Sequence, residues 1–91
     1  MDLDIRHDPG AQRFETRVDG ALCVLDYRLA GDSMTITHTG VPPAVEGRGI
    51  AAALTRAAME SARAQGLKVV PACSYAAAWL RRHPEFADLR A

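Results

Sequence analysis

The chain has 91 residues, 48% of them apolar and only 5% aromatic, and its eleven basic side chains balance eleven acidic ones. That length suits one domain over residues 1–91, with a core built from Ala, Leu, Val and Ile rather than from rings. Even the more basic half, residues 46–91 at a net +3, is too weakly charged for the strongly basic face of a nucleic-acid binder, and no apolar run approaches the roughly 20 residues of a membrane span.

Met1-Asp2-Leu3-Asp4 lacks the basic start and apolar stretch of a secretory signal, so a cytoplasmic location is expected. Leu3 to His7 alternates in polarity and reads as a first strand, closed by the turn Asp8-Pro9-Gly10. Phe14, Thr16 and Val18 then alternate with Arg13, Glu15 and Arg17, the period of a half-buried strand. Asp19-Gly20 is a two-residue hairpin signal, and Ala21 to Leu29 returns as a strand apolar enough to be central. After Ala30-Gly31-Asp32-Ser33, Met34 to Thr39 forms a fourth strand with Met34, Ile36 and His38 on one face. Four strands joined by short turns imply an antiparallel meander.

The period then becomes helical. From Gly49 to Gln65, Ile50, Leu54, Ala58 and Ala62 fall on one stripe, and Gly66 is a natural helix stop. Leu67 to Ala72 is short and β-branched, a buried strand that a crossover helix would set parallel to the fourth. Ser74 is placed to cap a second helix containing Tyr75, Trp79 and Leu80, ended by Pro84 after His83. The expected fold is α/β: an antiparallel meander followed by α-β-α.

Between the meander and the long helix lies Val41-Pro42-Pro43-Ala44-Val45-Glu46-Gly47-Arg48-Gly49-Ile50-Ala51. Two glycines let the backbone turn sharply and expose its N–H groups, and the helix behind adds its own free donors and positive dipole end. Such a turn holds an anion, most simply a pyrophosphate. Charge agrees: residues 1–45 carry a net −3 and residues 46–91 a net +3. Gly47 to Ala52 formally fits the dinucleotide pattern G-x-G-x-x-[G/A], but that pattern belongs in a first strand-to-helix turn with an acid about 20 residues on. Here four strands precede it and Lys68 to Ala72 holds no acid.

The stretch Glu46-Gly47-Arg48-Gly49-Ile50-Ala51 resembles the [Q/R]-x-x-G-x-[G/A] signature of the GNAT superfamily of acyl-CoA-dependent N-acetyltransferases, with Glu46 departing from the usual Gln or Arg. His38-Thr39-Gly40-Val41-Pro42, Pro71-Ala72-Cys73-Ser74-Tyr75 and His83-Pro84-Glu85-Phe86 extend the likeness to the small single-domain members. The resemblance implies a small GNAT-like fold whose fourth and fifth strands splay around a CoA cleft. It also implies acetyl-CoA as co-substrate and an amine acceptor that the sequence does not define. Carried over, residues Glu46 to Ala51 would meet the pyrophosphate, Thr39, Gly40 and Val41 the pantetheine arm, and Ser74 would lie on the coenzyme side.

Three side chains are candidates for the chemistry. Cys73, where a strand meets a helix N-terminus, suits a nucleophile taking acetyl from a thioester, or is simply a small packed residue. Tyr75 resembles in position the tyrosine that protonates the departing CoA thiolate in this superfamily; otherwise it packs on Trp79 at i+4. His38, ending the fourth strand, is a general base or a half-buried strand histidine. Cys23, Cys73 and the three histidines lack metal-ligand spacing, so no metal is expected and the thiols are expected free. The expected activity is N-acetyl transfer by a monomer or homodimer; the rival is a CoA-binding or protein-interaction module without turnover.

Overall fold

A computed structural model describes residues 2–91. The sheet runs in sequence order through β1 (Arg6–Asp8), β2 (Arg13–Val18), β3 (Ala21–Ala30), β4 (Ser33–Gly40) and β5 (Lys68–Pro71). The first three pairings are antiparallel, and β5 lies parallel to β4 after the crossover helix α1 (Ile50–Gln65). A second helix, α2 (Ser74–Arg82), follows, and 3-10 turns occupy Pro43–Val45 and Pro84–Leu89. The meander followed by α-β-α is therefore present, with the two 3-10 turns unforeseen.

Local chemistry accounts for the boundaries. Asp19 and Gly20 both take positive φ, 50° and 79°, the geometry that matches a two-residue hairpin to the strand twist. At the end of α1, Gly66 is left-handed (φ 71°), its N–H reaches Arg63 O and that of Leu67 reaches Ala62 O, so both last-turn carbonyls are satisfied. β1 is shorter and later than its polarity pattern implies. Leu3 and Ile5 lean on the core, and only the exposed Arg6–Asp8 pairs with β2.

Both helices cover one face of the sheet. Ile50, Leu54, Ala58 and Ala62 are buried as a stripe, against Phe14, Leu25, Tyr27, Met34, Ile36 and Val69 from the strands. Alanines at 58 and 62 let α1 lie close to the strands, so little space exists for relaxation; truncating a residue such as Leu54 would cost about 2–5 kcal/mol. The opposite face, carrying Arg13, Glu15, Val24 and Asp26, stays half-buried with no helix over it.

One irregularity matters more than the rest. Asp26 pairs with His38, but Tyr27 pairs with Ile36, leaving Thr37 as an extra residue in β4. The Thr37 hydroxyl donates to Asp26 O at 3.3 Å across this bulge. A bulge shifts side-chain parity by one, so His38 does not share the face of Met34 and Ile36 as the alternation implies. His38 is exposed on the open face beside Asp26, and Thr39, paired with Leu25, turns inward instead.

Candidate functional site

β4 and β5 stay paired only through Ile36 and Pro71. The N–H groups of Ala72 and Cys73 then both donate to Ile36 O, each at 3.0 Å, and the strands part. Beyond that point β4 residues 37–40 have β3 on one side and no strand on the other. This free main-chain edge is the kind that accepts an extended ligand as an added strand.

The glycine turn closes one side of the split. Gly47 and Gly49 have φ of 81° and 77°, and a Cβ on either would meet no atom within 4 Å. Glycine is needed there for backbone angle, not for room, and the space above the turn is open. Gly49 caps α1 without any side-chain partner, and its carbonyl takes the first helical bond, from Ala53 N at 3.0 Å. The N–H groups of Gly47, Arg48 and Gly49 find no acceptor among the described residues. Neither do the first-turn donors of α1, which an α-helix leaves unpaired by construction.

These donors border a pocket of about 210 Å³ between Val41, Glu46, Gly47, Gly49, the first turn of α1 and Tyr75. It is smaller than the 300–1,000 Å³ of sites that enclose a small ligand, so it fits the neck of a long ligand lying along the surface. No lysine or arginine lines it. Attraction for an anion must come from main-chain donors and the helix dipole, with Glu46 acting against it. Arg48 turns away, its Nη1 2.8 Å from Asp19 Oδ2 in the β2–β3 turn, a link the sequence does not disclose.

Tyr75 is 37% exposed and lines the pocket; it does not stack on Trp79. Trp79 instead lies flat against His83 (centroids 3.7 Å apart, planes 10° apart). Partial burial raises the Tyr75 phenol above its ordinary 10.0, with Cys73 adding to the rise and Arg82 opposing it. The phenol is therefore protonated at neutral pH.

Cys73, rather than Ser74, is the cap of α2: its Sγ accepts from Ala76 N at 3.3 Å. Thr39 Oγ1 stands 3.9 Å from the same sulfur. Ser74 is exposed at the first helical position. The site thus gathers Thr39, Val41, residues 46–51, Cys73 and Tyr75 around the split, whereas His38 faces the other side of β4. Its ring lies across Gly40, where a Cβ would come within 2.9 Å of His38 Nε2. His7 and His83 are structural: His7 Nε2 pairs with Tyr27 OH at 2.6 Å, and His83 Nδ1 with Trp79 O at 2.7 Å. Cys23 and Cys73 are both free thiols, and no group of three His, Cys, Asp or Glu able to hold a metal is found among the described residues.

Sequence reasoning missed the Arg13–Asp26 pair on the open face, where Arg13 Nε lies 2.7 Å from Asp26 Oδ1. Strand alternation puts both residues on that face; their register, and the bulge that sets His38 beside them, needs the structure.

Comparison with known proteins agrees with this geometry. A family model described as GCN5-related N-acetyl-transferase matches residues 13–89. Protein NATD1 of Xenopus tropicalis is 34% identical over 85 residues, covering 90% of this chain and 78% of its own length. Protein NATD1 of Homo sapiens is 32% identical, covering 90% and 75%. The solution structure of a GCN5-like protein from Staphylococcus aureus superposes with a TM-score of 0.78 at 28% identity, covering 97% of this chain and 87% of that one. The family model over residues 13–89, the relatives at 34% and 32% identity and the shared fold place the chain in the GCN5-related N-acetyl-transferase family.

Proposed function

We propose that residues 1–91 form one acetyltransferase domain that binds acetyl-CoA and transfers its acetyl group to an amine acceptor. The observation that carries this reading is the unpaired edge of β4 residues 37–40 opening beside the free amides of residues 47–49. Those amides and the first turn of α1 would hold the diphosphate. The β4 edge at Thr39, Gly40 and Val41 would pair with the pantetheine arm, and one of its N–H groups would polarise the thioester carbonyl.

In direct transfer the amine nitrogen attacks the carbonyl carbon. A C–N bond forms, the C–S bond breaks, and sulfur leaves with the electron pair. Tyr75, protonated at neutral pH, supplies the proton to that sulfur. The proton lost by nitrogen passes to His38 or to water. Cys73 offers a second route, in which its sulfur takes the acetyl first and the amine then displaces it. Intact mass after exposure to acetyl-CoA separates the routes: an adduct of one acetyl group, absent in Cys73→Ala, requires the covalent one.

The test of turnover is release of free CoA thiol across amines, amino acids and peptides. Acetyl-CoA binding with no release above hydrolysis for any acceptor would replace the enzyme by a coenzyme-binding module. One observation favours that second reading: His38, the candidate base, emerges on the open face of β4 and away from the coenzyme pocket. We place the domain in the cytoplasm, as a monomer or homodimer acting on neither membrane nor nucleic acid; no helix among the described residues is long and apolar enough to cross a membrane.

A further inference from the structure

Opposite the coenzyme pocket, the uncovered face of the sheet holds a shallow groove of about 430 Å³ lined by Arg13, Leu22, Val24, Gly40, Val41 and Pro42. Val41 lines both cavities, so they border each other at the residue that follows β4, on the segment that has no β5 partner. The bulge at Thr37 is what turns His38 to this side, and its Nε2 lies over Gly40 at the groove's inner end. Four apolar side chains and a glycine make the floor. Arg13 is the one charged residue lining it among the described residues.

We infer that this groove is the acceptor subsite, and that its ligand carries a primary amine and a carboxylate joined by a short apolar body, as in an ω-amino acid or an apolar dipeptide. The inference rests on the reading of the domain as an acetyltransferase. The amine sits at Gly40 beside His38, next to the split; the carboxylate sits at Arg13. Asp26 grips Arg13 through Nε at 2.7 Å and Nη2 at 3.4 Å, which fixes the guanidinium plane and leaves its remaining N–H groups for a ligand. Arg13 and Gly40 are separated by two strand spacings and a two-residue offset, since Arg13 pairs with Asp26 and Val24 with Gly40. That is on the order of 12 Å between Cα atoms. Once the arginine reaches inward, an amine and a carboxylate several bonds apart span the remainder. Polyamines fit poorly, because their second cation would meet Arg13. Asp26 is a positioning residue and touches no ligand.

Three probes of equal length test this: 6-aminohexanoate, 6-aminohexanamide and hexylamine, each titrated into the CoA-loaded protein and followed by amide and arginine Nε–Hε resonances. The expected result is saturable shifts at Val24, Gly40, Val41 and the Arg13 side chain, with 6-aminohexanoate binding at least tenfold tighter than the other two. Arg13→Gln should abolish that preference, and Asp26→Asn should reduce it, both in proteins whose remaining spectrum is unchanged. Equal or tighter binding of hexylamine, a preference surviving Arg13→Gln, shifts confined elsewhere, or no binding of any probe would overturn the assignment. If Arg13→Gln does not fold, Arg13→Lys, which keeps charge without the planar fork, should still weaken the carboxylate preference several-fold. Failure of CoA itself to bind would be seen first, at residues 47–49, and would count against the acetyltransferase reading rather than against the groove.

Discussion

Thr39 Oγ1 and Cys73 Sγ face each other at 3.9 Å across the point where β4 and β5 separate. One comes from the strand that keeps its β3 partner, the other from the cap of α2, so this contact pins the width of the split. The sulfur is also the acceptor for Ala76 N. Cys73→Ser keeps an acceptor of the best capping type, whereas Cys73→Ala leaves that N–H unpaired and should cost about 1 kcal/mol. Thermal unfolding of the two variants checks this; equal losses would show that the sulfur does not cap.

His38 and Gly40 make a second probe. Gly40 does not need a positive φ, and the atom a Cβ would meet is the mobile end of a side chain. Gly40→Ala should therefore fold with a stability change within about 1 kcal/mol, yet push the imidazole aside. We expect the His38 ring resonances to move and acetyl transfer to fall by about tenfold, less than the roughly hundredfold or more lost when a general base is removed outright. Unchanged transfer with a displaced ring would remove His38 from the mechanism and leave proton removal to water.

Gly47 and Gly49 are different, because their neighbourhood is empty and their φ values are positive. Either one replaced by Ala should cost about 1–2 kcal/mol of stability and weaken acetyl-CoA binding, since the turn must re-form around an L residue. Gly49→Asn, which tolerates left-handed backbone, should lose less of both. Calorimetry on variants confirmed as folded is the check; full affinity in Gly49→Ala would mean the turn's shape is not what the coenzyme reads.

Much of the architecture was legible because its signals are local. The alternation of Phe14, Thr16 and Val18, the Asp19-Gly20 hairpin, the Ile50–Ala62 stripe and the Gly66 stop each depend on neighbours within a few residues. The glycine turn was legible for the same reason. What failed depended on contacts between distant segments. A single extra residue at Thr37 reversed the side on which His38 emerges, and nothing in the β4 sequence marks it. The partners of Arg48 and Arg13 lie on other elements, so helical or strand spacing could not find them. Cys73 took the cap that Ser74 suggested, because both can accept and the chain turns one residue earlier.

Glu46 gives a prediction about charge. It borders the pocket and forms no ion pair among the described residues. Glu46→Gln removes repulsion of the diphosphate and should tighten acetyl-CoA binding several-fold in low salt, with the gain shrinking as ionic strength rises and screening shortens. Weaker binding in Glu46→Gln would show instead that the carboxylate contacts the coenzyme favourably.

The C-terminal 3-10 turn should be acid-sensitive. Arg63 holds both Asp88 oxygens at 3.0 Å and keeps that carboxyl below its ordinary 3.8. Glu85 also lies below its ordinary 4.5, chiefly through its own main-chain N–H, with Arg56 contributing. Depressed folded-state values mean that the stabilisation is complete above the unfolded values and is lost as pH falls through the folded ones. The midpoint of thermal unfolding should therefore drop on acidification below about pH 4, and Arg63→Gln should flatten that drop. An identical acid profile in the variant would remove the Arg63–Asp88 pair as its cause.

The account rests most heavily on main-chain amides gripping a diphosphate at the start of α1, and titration of isotopically labelled protein with acetyl-CoA measures this directly. We predict saturable displacement of the amide resonances of Gly47, Arg48, Gly49 and Ile50, larger than any change on β1 or in the C-terminal turn. Resonances of residues 47–50 that stay in place at saturating coenzyme, or no saturation at all, would contradict it.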